Sequence, residues 1–145
     1  MRRCRTVAAP GEMLVATVHT EGVQIYECKA DASGKLTWQF REPVATMLEN
    51  GRTVGVHYAG PHWQMADGST VWGKVAGRAP GASAQDIPLL KLDVASRSGV
   101  GRLLEVTTVQ RLNTKGGALE GSCESAGAFR NVPYSADYAF LRKAP

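Results

Sequence analysis

No stretch of the chain reaches the roughly 18 consecutive apolar residues that a membrane-spanning helix needs. The first ten residues, Met1 to Pro10, begin with charge but lack the apolar segment of about 7–15 residues that marks an export leader. No G-x-x-x-x-G-K-[ST], G-x-G-x-x-G, H-E-x-x-H, G-x-S-x-G or C-x-x-C occurs, so the usual nucleotide, zinc-protease, esterase and dithiol signatures are missing. No cofactor is expected. Cysteine is scarce, at 3 in 145 residues, too few for a disulfide-dense mini-domain. Charged residues reach only 21%, and the formal net charge of +4 is mostly a feature of one end. Arg2, Arg3 and Arg5 supply three of the 17 Lys and Arg; the remaining 14 oppose 13 Asp and Glu, a net of +1. A nearly neutral body offers no basic groove, so no nucleic-acid partner is expected.

What is present is a globular composition with 43% apolar residues, enough for one domain with its own core. The expected organisation is a flexible tail or leader remnant over residues 1–9 and a single β domain over 10–145.

The dominant sequence period is two. Leu36, Trp38 and Phe40 alternate with polar residues as a half-buried strand does. Similar alternation runs through Val54, Val56 and Tyr58, through Val71, Gly73 and Val75, through Leu90, Leu92 and Val94, and through Tyr134, Ala136, Tyr138 and Phe140. Segments 12–19, 22–28, 103–112 and 118–124 read as further strands. Asn50-Gly51 and Asp67-Gly68 predict type I′ hairpin turns, in which both central residues take positive φ. Ser83 to Ile87 is the one helical candidate, a turn or two that Pro88 would stop. The pattern predicts an all-β, single-domain antiparallel barrel, with a sandwich as the alternative, of nine or ten strands.

Several segments, taken in order, resemble domain-of-unknown-function family 3455: Gly22 to Cys28, His57 to Trp63, Asp67 to Ser69, Gln110 to Gly117, Cys123, and Val132 to Tyr138. The resemblance covers about residues 10–143. It implies an all-β secreted or periplasmic domain, normally made with a leader, and brings no established activity. The absent apolar leader segment departs from that pattern, so a cytoplasmic location stands as the alternative to a periplasmic or secreted one.

Cys28 and Cys123 each close a strand-like segment before a small-residue turn. With the extracytoplasmic setting that the resemblance implies, they are candidates for a disulfide; two buried free thiols are the other reading. Cys4 belongs to the tail.

The candidate site gathers around His57. His57 and Tyr58 point to opposite faces of one strand, and alternation does not say which face is interior. Trp63 begins the next strand. Arg111, Asn113 and Thr114 form a second polar cluster, with Arg111 on the face of Val109 and within reach of a carboxylate such as Asp137. Tyr134 and Tyr138 share a face of the last strand. Aromatic walls with a few polar groups build small-ligand pockets, and the same residues also describe an ordinary β core. The candidate ligand-binding set is therefore His57, Tyr58, Trp63, Arg111, Asn113, Tyr134 and Tyr138. His57 and His62 are weak metal candidates, two ligands where zinc wants three or four.

The leading expectation is a non-enzymatic extracytoplasmic protein that binds a small molecule or envelope component. The alternatives are an enzyme using His57 as general base or metal ligand, and a structural or interaction domain of the cell envelope. The sequence does not give the oligomeric state.

Overall fold

The computed structural model describes residues 7–145. Eight antiparallel strands follow one another up and down and close into a barrel. They are β1 (Glu12–Ala30), β2 (Leu36–Glu49), β3 (Arg52–Tyr58), β4 (His62–Met65), β5 (Thr70–Ala79), β6 (Leu89–Ser98), β7 (Thr108–Gly116) and β8 (Phe129–Lys143). Pairing of β1 with both β2 and β8 removes the edge strands that an open sheet would leave.

Segments 12–19 and 22–28, expected as two strands, are one. The chain runs through because Gly22 lies against β2, where a Cβ would stand 2.1 Å from the Val44 carbonyl oxygen and 2.6 Å from the Ala45 Cβ. Asn50 and Gly51 take φ of 52° and 76°, as the hairpin reading requires. The Asp67-Gly68 turn differs. Gly68 has positive φ, Asp67 does not, and Gly68 N donates to Met65 O. The Asp67 carboxylate instead accepts from Ser69 N and Oγ and from Arg102 N. Ser83 to Ile87 forms a turn without a helix, closed by Asp86 N donating to Ser83 O. Segment 118–124 contributes only the bridge of Ser122 to Thr37, and β7 begins at Thr108, not at 103.

Residues expected at the start of β7 have another role. Leu103 and Val106 are fully buried and enter the hydrophobic core from the connection between β6 and β7. That connection is tied to the barrel: Leu103 N donates to Ser69 Oγ, Arg102 forms a two-pronged pair with Glu49 at 2.9 Å, and Arg97 donates to Val106 O. Val7, inside the stretch expected as tail, is buried, and its carbonyl accepts from Gln110. The rest of the leader reading, with Arg2, Arg3, Cys4 and Arg5, lies outside the described residues.

The opposite end carries the connections β1–β2, β3–β4, β5–β6 and β7–β8. Here Cys28 at the end of β1 is bonded to Cys123 in the β7–β8 connection, with Cα atoms 5.9 Å apart. Backbone bonds stitch the same connection down: Cys28 N donates to Ala128 O, Cys123 N to Leu36 O, and Trp38 N to Gly121 O. The Leu36–Phe40 alternation does not produce a buried face: Phe40 is 54% exposed. It packs edge-on against Tyr26, its register partner on the neighbouring β1, with ring centroids 5.7 Å apart. Among the described residues no helix is long and apolar enough to cross a membrane.

Candidate functional site

A cavity of about 450 Å³ opens at the disulfide end. Its floor is aromatic. His57 of β3 and Trp63 of β4 are register partners pointing inward, and their rings stack with centroids 4.7 Å apart. Tyr138 of β8 meets Trp63 edge-on at 5.3 Å. Leu90 and Leu92 of β6, with Ile87 and Pro88 ahead of them, form an apolar wall, and Phe40 and Val75 stand half-exposed at the rim. Gln24 and Tyr26 of β1 and Arg111 of β7 supply polar groups.

Burial decides the state of His57. Only 3% of it is exposed, and desolvation pushes its pKa down to about 4, so the ring is neutral at pH 7. The His62 carbonyl can only accept, so Nδ1 carries the proton and donates to it at 2.8 Å. Nε2 is then left to accept from the Tyr138 hydroxyl at 3.3 Å. Burial raises the Tyr138 phenol above its ordinary pKa, and it stays protonated as that bond requires. His57 therefore locks the floor, with both nitrogens engaged.

Arg111 is half-buried, and Nε donates to the Pro88 carbonyl at 2.9 Å. It does not reach Asp137. That carboxylate lies on the outer face, where it bonds His19 Nδ1 and Asn113 Nδ2. No carboxylate pairs with Arg111 among the described residues, and no Asp or Glu lines the cavity. Arg41 and Arg78 stand at its rim; Arg41 is paired with Glu27 and Glu42.

The structure thus brings His57, Trp63, Arg111 and Tyr138 together in one cavity and sends Tyr58 and Asn113 elsewhere. Tyr58 points outward, stacks on His62 at 5.0 Å and donates to Gln64. Asn113 has φ of 51° beside a β-bulge that turns its amide to the outer face. Tyr134 is buried next to the cavity, and burial holds its phenol above its usual pKa. The Tyr58–His62 stack puts His62 on the opposite face of the sheet from His57, so the two imidazoles do not converge on a metal; among the described residues no group of three His, Cys, Asp or Glu does either.

Gln24, Tyr26 and Arg78 were not singled out from the sequence. Gln24 and Tyr26 precede Cys28 by four and two residues on the inward face of β1, so anchoring that face on the buried Cys28 would have found them.

Buried polar side chains nearly always find a hydrogen-bond partner. Two that line this cavity do not: Gln24 Oε1 and Trp63 Nε1. The hydroxyl of the adjacent Tyr134 is also unpaired. The arrangement is a preformed apolar pocket with a locked aromatic floor and a cation without a counter-charge.

A family model described as "Protein of unknown function (DUF3455)" matches residues 9–53 and 47–142. No curated protein and no solved structure matches the chain.

Proposed function

The chain belongs to the DUF3455 family, and we propose that it is an extracytoplasmic binding protein that holds a small organic molecule in the open end of its barrel. The observation that carries this reading is the cavity of about 450 Å³, within the range of small-molecule sites and lined as they are by apolar and aromatic groups around a few polar ones. The Cys28–Cys123 bond supports an oxidising compartment.

Binding is favoured over turnover because of His57. An enzymatic reading needs it as base or metal ligand, but its nitrogens are engaged, and a group titrating near 4 is a weak base at neutral pH.

The test is native mass spectrometry of protein purified from its own host, beside the Val75→Trp variant. Val75 is 46% exposed at the rim, so the indole can fill the mouth without disturbing the core. The reading expects an adduct that denaturation releases and that the variant lacks. An adduct retained by Val75→Trp, or none in either protein, contradicts it.

A further inference from the structure

We infer that the cavity selects an organic anion: a molecule with an apolar body and a single oxyanion head, seated with its head on Arg111. The inference rests on the binding reading above and specifies its ligand. It starts from a charge imbalance. The cavity is bordered by Arg111, Arg78 and Arg41 and by no acidic side chain. Arg41 is already neutralised by Glu27 at 2.9 Å and Glu42 at 3.1 Å. Arg78 is exposed at the rim, where water solvates it. Arg111 is neither paired nor fully solvated. It is half-buried between β6 and β8; Nε donates to the Pro88 carbonyl, the guanidinium also meets the neutral Tyr138 hydroxyl, and neither partner carries a counter-charge.

A guanidinium drawn into an apolar wall without an ion pair loses hydration that nothing repays. The neighbouring groups supply hydrogen bonds at most and no negative charge: His57 is neutral, and Tyr26 and Tyr138 are held protonated by burial. An incoming carboxylate would, by accepting from the remaining N–H groups in the parallel fork that arginine presents. The rest of the site defines the other half of the ligand. Leu90, Leu92, Ile87 and Val75 face it with hydrocarbon, and the Trp63 floor offers a ring. A doubly charged or strongly polar ligand would leave that wall unfilled.

The experiment compares probes that differ only in the head. The whole chain is titrated at pH 7 with decanoate, decanol and decyltrimethylammonium, and with 2-naphthoate and 2-naphthol, by calorimetry and tryptophan fluorescence. A charge-assisted pair in a partly desolvated site predicts at least one carboxylate binding about tenfold tighter than its neutral partner. The ammonium should be weakest of the decyl set. Whether the chain pair or the ring pair shows the preference identifies the body. Arg111→Gln should bring the preferred carboxylate down to the level of its neutral partner. Val75→Glu adds a negative charge at the tolerant rim and should weaken the carboxylate while strengthening the ammonium; it tests the same point should Arg111→Gln fail to fold. Equal affinity of carboxylate and neutral probe in both pairs, or a preference that survives Arg111→Gln, overturns the anion inference while neutral binding keeps the cavity reading. Failure of every probe, with the host-purified protein also free of adduct, overturns both.

Discussion

The two ends of the barrel solve the same problem in opposite ways. A closed antiparallel sheet leaves an open ring at each end, and something must fill it. At one end the β6–β7 connection turns inward, buries Leu103 and Val106 completely, and is latched by Ser69, Arg102 and Arg97. At the other end Ile87 of the β5–β6 connection is buried beside the cavity, and the β7–β8 connection is held at the rim by a covalent bond between Cys28 and Cys123. That end keeps a cavity of about 450 Å³ and unpaired polar atoms. One end is closed by packing; the other is packed on one side only and clamped by the disulfide. The contrast teaches where stability is spent: a clamp can hold a mouth in shape without occupying it.

The largest expected effect tests the clamp. Cys28 and Cys123 are separated by 95 residues. In the chain-entropy account, breaking such a link destabilises by about 4–5 kcal/mol. The double Cys28→Ser, Cys123→Ser variant should show that loss in urea denaturation, together with faster amide exchange around residues 117–128 than around Leu103. Uniform loosening of both ends would break the comparison.

Next comes the plug. Leu103→Ala removes a fully buried side chain and should cost about 3 kcal/mol by transfer and cavity terms. Val75→Ala at the open mouth, 46% exposed, should cost under about 1 kcal/mol. Similar losses at the two sites would mean that the mouth is packed after all.

The floor responds to acid. His57 titrates near 4 in the fold and at its ordinary 6.5 unfolded, so the unfolded chain takes up the proton first. Its contribution is intact above pH 6.5 and is lost as pH falls toward 4, by about 3 kcal/mol across that window. His57→Asn, which keeps a donor for the His62 carbonyl, should flatten the dependence between pH 6.5 and 4. Asp67 and Asp86, held below the usual carboxylate range by hydrogen bonds, lose their share only at still lower pH.

The outer wall gives the smallest effect and the opposite sign. His19 bonds Asp137 and Glu21, which raise its pKa. Its stabilisation is present below pH 6.5 and fades as pH rises through the raised value. It is nearly half exposed, so His19→Gln should change stability by no more than about 0.5 kcal/mol, and only at the acid side.

Much of the fold was legible because period two and turn residues are local. Asn50-Gly51 specified its turn, and the Tyr134, Ala136, Tyr138, Phe140 series is buried as its alternation predicts. The site was legible only in part because it is assembled one or two residues at a time from different strands. Alternation could not choose between His57 and Tyr58; closure of the barrel chose. Asn113 left the site through a bulge, which shifts a side chain by one face and leaves little trace in sequence. The Leu36–Phe40 pattern predicts burial, but this part of β2 borders the open cavity, and Phe40 is left 54% exposed. Leu103 and Val106 looked like a strand because a plug needs apolar residues as much as a strand does.

The most direct test of the account maps where a ligand lands. Backbone amide shifts should be recorded for the uniformly labelled chain with and without saturating decanoate or 2-naphthoate. The account predicts shifts at His57, Trp63, Leu90, Leu92 and Arg111, with Leu103 and Val106 unmoved. Shifts centred on Leu103 and Val106, or spread evenly over both ends, would contradict it.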